Sequence, residues 1–176
     1  MFFRPVSSSL SHIAVLGNAL PRRCGLATYT SHSVEAFRAA FPDLTVDHYA
    51  MDDGHGAQYG DGIATISERD ISAYVRAGAD ISRSGAQMLW IHHEFGIFGG
   101  RAGDHILTLL RHVTIPVVVT LHTVLAKPDA DQRRVMQVLL HRADRLIVMA
   151  REAASLLTSV YGADPRDIAI IPHGAP

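Results

Sequence analysis

Met88-Leu89-Trp90-Ile91-His92-His93-Glu94-Phe95-Gly96 is the stretch that decides the fold. Its first four residues are apolar without alternation. A strand reads that way when helices cover both of its faces, the condition of a parallel sheet. The run then breaks onto three titratable side chains, with Gly96 just beyond. Successive strand residues point to opposite sides, so His92 and Glu94 share one face and His93 takes the other. Such groups beyond a buried strand are unfavourable as core unless paired, and a hydrogen-bonded structural role is expected for at least one of the two histidines.

Working outward, similar strand-length runs recur at Ile13–Leu16, Leu44–Tyr49, Val117–Leu121, Leu146–Met149 and Ile168–Ile171, with a weaker one near Ile63–Ile66. Helical patterns separate them at Gly25–Ala40, Asp70–Ser84, Asp104–Arg111, Asp129–Ala143 and Arg151–Tyr161. In the fourth, Val135, Leu139 and Arg142 beside Met136 and Leu140 repeat at three-to-four spacing. Asp70, Asp104 and Asp129 stand where N-caps or first-turn acids belong. Alternation of this kind predicts right-handed βαβ units in an α/β, doubly wound, mostly parallel sheet with helices on both faces, a Rossmann-like domain. Met51–Asp61, rich in Asp and Gly, reads as a mobile surface loop.

The chain has 176 residues, enough for one domain with a real core, and 48% of them are hydrophobic against 19% charged. A net charge of −1 offers no field for nucleic acid. No run of ~18 apolar residues spans a membrane, and the start has no apolar core of signal-peptide length. Cys24 is the single cysteine, which excludes a disulfide framework, leaves cytosol as the default compartment and reads as a small buried hydrophobe. Residues 1–11 read as a flexible lead-in and 12–172 as the domain. Residues 173–176, with His173 and Gly174 between Pro172 and Pro176, read as the start of a hinge to an absent second domain.

In an open parallel sheet, ligands bind beyond the carboxyl ends of the strands, and four clusters fall there. Asn18-Ala19-Leu20-Pro21-Arg22-Arg23-Cys24-Gly25 leads into a helix whose free N–H groups suit phosphate, with Arg22 and Arg23 adding charge. Its spacing is not G-x-G-x-x-G, and an ordinary βα loop explains it equally well. The second cluster is His92-His93-Glu94, followed by Gly96-Ile97-Phe98-Gly99-Gly100-Arg101-Ala102-Gly103, either a ligand loop or a plain connection. The third is Thr120-Leu121-His122-Thr123, where His122 at a strand's edge can bond a ligand hydroxyl or be satisfied by a nearby carbonyl. The fourth is Pro172-His173-Gly174.

Pro21–Thr30, His93–Gly100, Thr120–Leu125 and Ile171–Gly174 together resemble, in order, the motifs of the N-terminal domain of family 4, group 1, retaining glycosyltransferases. The resemblance runs from about His12 to the end. It implies a GT-B architecture of two facing Rossmann-like domains, of which this chain is the acceptor-side half and is inactive alone. It implies a nucleotide-sugar donor with no cofactor or obligatory metal, and a sugar or lipid-linked acceptor. The transferred group would be a hexose, mannose or glucose at family level. By the same resemblance His122 is catalytic, and Gly25, Arg22 and Arg23 face the donor phosphates. His93, Glu94, Gly99, Gly100 and Thr123 line the acceptor side.

The location implied is cytoplasmic or peripheral to the inner face of the membrane, with self-association through an exposed interdomain face. Two other readings compete. One is a freestanding sugar- or nucleotide-binding module without catalysis. The other is a metal-dependent hydrolase drawing on His92 or His93, Glu94 and His122, which lacks H-E-x-x-H or paired-Cys spacing.

Overall fold

The computed structural model describes residues 10–174. The lead-in before Leu10 and the last two hinge positions lie outside the described residues. One sheet of seven parallel strands runs β3-β2-β1-β4-β5-β6-β7. The strands are β1 His12–Gly17, β2 Thr45–Asp52, β3 Ile63–Ser67, β4 Leu89–His93, β5 Val117–Leu121, β6 Arg145–Val148 and β7 Ile168–Ile170. The helices are α1 Gly25–Ala40, α2 Ile71–Arg83, α3 His105–His112, α4 Ala130–Arg142 and α5 Arg151–Tyr161. This is the doubly wound α/β architecture expected from the alternation, with every anticipated strand and helix present.

Two details differ from expectation. β2 continues to Asp52, into the stretch read as loop, because the weak strand β3 pairs with it from His48↔Ile63 to Asp52↔Ser67. Asp70 and Asp129 cap α2 and α4 as expected, the latter in a full capping box with Gln132. Asp104 occupies the N-cap position of α3 as expected, but its carboxylate makes no capping bond and accepts instead from Arg134 of α4 at 2.6 Å.

Handedness decides where the helices lie. From β1 the chain steps outward to β2 and β3, then returns to β4 and steps the other way to β7. Right-handed crossovers put connections of opposite direction on opposite faces. α1 thus lies on one face, whereas α2, α3, α4 and α5 share the other. The β2–β3 step carries no helix, only residues 53–62. The larger core accordingly joins Tyr74 and Ile81 of α2, Ile106 of α3, Met136 of α4 and Leu157 of α5 to Leu16, Ile91 and Val119 of the sheet. The smaller core holds Ile13, Val15, Val46 and Trp90 under Val34 of α1.

Candidate functional site

The strand order turns between β1 and β4, and there the carboxyl ends of adjacent strands lead to oppositely directed connections. β1 ends at Gly17, β4 at His93 and β5 at Leu121, and the amino end of α1 belongs to the same edge. Cys24 is not the buried apolar residue expected: it is partly exposed and is the N-cap of α1. Its sulfur accepts from the Ala27 amide at 3.3 Å and from Asn18 Nδ2 at 3.2 Å. Gly25 opens the helix facing unoccupied space: a Cβ there would meet nothing within 4 Å.

Tyr29 lies one turn beyond Gly25, and residues four apart share a helix face. Its ring stands edge-on to His92 and His122, with centroids 5.4 and 5.0 Å away, and lies tilted against His173 at 5.0 Å. His92 Nδ1 lies 3.2 Å from His122 Nε2, a hydrogen bond between neighbouring strands. One aromatic residue therefore ties the start of α1 to the ends of β4, β5 and β7. Tyr29 was not singled out in the sequence; its i,i+4 relation to Gly25 is the signal that marks it.

Burial governs the titration of this group. His92 is wholly buried, and its pKa falls to about 3, through desolvation first and then the neighbouring His122 and His48. The His122 pKa falls to about 4 through desolvation, followed by His173. Both rings are neutral at pH 7.

His93 faces the other way, as the strand alternation predicts, and has no exposed surface. It packs between Phe95 and Phe98, with centroids 5.1 and 5.7 Å away, and its pKa drops to about 3 by desolvation. The expected acceptor-side place for His93 is thus taken by a core position. Glu94 and Thr123 stay at the edge and engage each other: the Thr123 hydroxyl donates to Glu94 Oε2, while Glu94 Oε1 accepts from the Phe95 amide at 2.9 Å.

Arg22 departs from the phosphate-facing expectation. Its Nε is 3.3 Å from Asp53, and its Nη1 donates to Glu68 at 3.2 Å and to Asn18 Oδ1 at 3.3 Å. Two carboxylates therefore claim its charge, and they fasten the α1 loop to the ends of β2 and β3. Arg23 is exposed. Gly99 and Gly100 are packing positions. A Cβ on Gly99 would overlap the Glu68 carbonyl oxygen and sit 2.6 Å from His105 Nδ1, and Gly100 has φ of 83°. The exposed His173 ring bonds the Gly174 carbonyl through Nδ1 at 2.8 Å.

The hydrolase set is not assembled: His93 is buried on the opposite face, and His92, Glu94 and His122 are not grouped as metal ligands among the described residues. Among the described residues no three His, Cys, Asp or Glu side chains are grouped to hold a metal ion. Among the described residues no helix is long and apolar enough to cross a membrane.

The chain is similar in fold to a solved lipopolysaccharide outer core galactosyltransferase, WaaB, in its apo form, with a TM-score of 0.67 at 10% identity. The match covers 93% of this chain and 46% of that one, so the chain spans about half the length of the solved relative. No curated protein matches it. The model of Glycosyltransferase Family 4 matches residues 25–176, from the first residue of α1 past Tyr29, the β4 and β5 edges and His173. The chain belongs to glycosyltransferase family 4.

Proposed function

We propose that this chain is the acceptor-side half of a retaining glycosyltransferase that moves a hexose from a nucleotide-diphosphate donor to an acceptor hydroxyl. The observation that carries the reading is the joining of the α1 N-terminus to His122 through Tyr29. Departure of the nucleotide diphosphate leaves an oxocarbenium-like centre and puts charge on phosphate oxygens. Free amides at a helix N-terminus stabilise that charge, with Gly25 allowing close approach and the exposed Arg23 the nearby cation that pairs with no carboxylate among the described residues. His122 contacts the transferred sugar, while Glu94, held by Thr123, faces the acceptor hydroxyl. The donor pocket belongs to a second domain, and the 176-residue chain alone does not turn over.

The test compares this chain with a longer polypeptide extending past Pro176, both screened with nucleotide-sugar donors in the cytoplasmic setting this reading assigns. Transfer is expected from the longer form only. In it, His122→Ala should lower kcat/KM by about 10²-fold, the scale of one lost transition-state hydrogen bond. Robust transfer by the isolated chain, or an unaffected His122→Ala variant, overturns the reading.

A pH prediction follows from the site. Because the His122 pKa is depressed to about 4, the ring stays neutral as pH falls through the ordinary imidazole value. Transfer should therefore show no His122 inflection between about pH 8 and pH 5.5. A rate change tracking pKa 6.5 that disappears in His122→Gln would contradict this.

A further inference from the structure

We infer that His92 is a positioning residue that fixes the proton of His122 on Nδ1, so that His122 meets a ligand as a hydrogen-bond donor and not as a base. The ligand's identity rests on the functional reading above; the proton's position does not.

Two neutral imidazoles share one hydrogen bond, His92 Nδ1 to His122 Nε2. In one arrangement His92 Nδ1–H donates, which leaves a bare lone pair on His92 Nε2 and puts the His122 proton on Nδ1. In the other, His122 Nε2–H donates, which puts the His92 proton on Nε2. His92 is wholly buried and its Nε2 has no partner. The second arrangement therefore strands an N–H in the interior. The first strands only an acceptor, and buried orphan N–H groups are the rarer of the two in folded proteins.

The outer nitrogen of His122 completes the picture. Its Nδ1 makes no hydrogen bond among the described residues and is not among the buried unpartnered atoms, so it is the nitrogen open to the edge. Tyr29, at an interplanar angle of 83°, packs against the ring and limits its rotation. With Nε2 occupied by His92 and Nδ1 protonated, His122 has no free lone pair. It cannot take a proton from an incoming hydroxyl. It can only donate, to a sugar hydroxyl oxygen or a phosphate oxygen.

The experiment is a long-range ¹H–¹⁵N spectrum of the ligand-free chain labelled at histidine, at pH 7. The His122 signals are assigned by their loss in His122→Gln. The expected result is a pyrrole-type shift for Nδ1 and a pyridine-type shift for Nε2. His92→Phe, which removes the donor, should move both shifts toward the averaged values of a tautomer mixture. His92→Asn, whose amide places an N–H near the old Nδ1, should restore them. A wild-type spectrum with the proton on Nε2 overturns the proposal; it would report a buried His92 Nε2–H in a ring packed against Trp90, 4.4 Å away between centroids. A folded His92→Phe chain with unchanged His122 shifts also overturns it. If His92→Phe fails to fold, the wild-type spectrum alone still decides. Because no substrate is added, this outcome is independent of whether the transferase reading stands.

Discussion

Lowering the pH from 7.5 to 4.5 should remove roughly 5 kcal/mol of stability through His93 and His48 alone. In the folded chain the His93 pKa is held to about 3 by desolvation, and that of His48 to about 4 by desolvation and then Arg38. In the unfolded chain both return to about 6.5. The folded values are the lower ones, so the unfolded state binds the extra protons. Stability is present above the unfolded value and is lost as pH falls from about 6.5 toward 4. Each ring contributes about 2–3 kcal/mol over that interval. His92 adds to the loss in the same direction.

A loss of this size is a large part of the 5–15 kcal/mol typical of a domain. Carboxylates do not explain it. Asp53, Asp70 and Asp164 have lowered pKa values, so most of their contribution is lost as pH falls from the ordinary carboxylate value of about 4 downward. Urea unfolding at several pH values checks the prediction. His93→Phe, placed between Phe95 and Phe98, should flatten the slope by about 1.4 kcal/mol per pH unit. A slope below that of one proton between pH 6 and 4.5 would sink the argument.

Gly99→Ala should cost about 3 kcal/mol or more, and a Tm drop on the order of 6–12 °C, because the added methyl has no room. It would enter the Glu68 carbonyl oxygen, which also accepts from the Tyr74 hydroxyl at 3.0 Å. That hydroxyl in turn accepts from the Gly99 amide at 3.0 Å. Pushing the Glu68 corner away therefore breaks both bonds and disturbs the carboxylate that holds Arg22.

Gly25→Ala is the matched control. Its methyl would meet nothing within 4 Å, and alanine is the better helix former, so thermal stability should hold or rise slightly. If Gly25 fronts the donor phosphates, the longer enzyme carrying Gly25→Ala loses activity without losing stability. Equal thermal shifts for the two variants would contradict the packing account of Gly99.

The two glycines show how far local sequence reaches. Both sit in Gly-containing connections at strand ends, and both read as ligand-facing from sequence. Only Gly25 faces open space. What separates them is Glu68, brought to Gly99 by the β3–α2 corner and invisible in the spacing around either glycine.

Arg22 repeats the lesson. Its neighbours in sequence, Pro21 and Arg23, suggest a basic phosphate loop. Its partners Asp53 and Glu68 come from the ends of β2 and β3, and they turn a candidate ligand residue into a clamp.

Sequence alone determined the seven strands, the five helices and the facing of β4. Those features follow from short unbroken apolar runs, the alternating facing of strand residues, the 3.6-residue helical period and end caps, which act over a few positions. It also placed His92 and Glu94 on one side and His93 on the other. Only the tertiary structure decided that β4 lies between β1 and β5, and hence that His92 bonds His122 and that Tyr29 gathers three histidines. Strand order depends on which apolar surfaces bury one another across many tens of residues. That competition belongs to the whole core, and no local pattern records it.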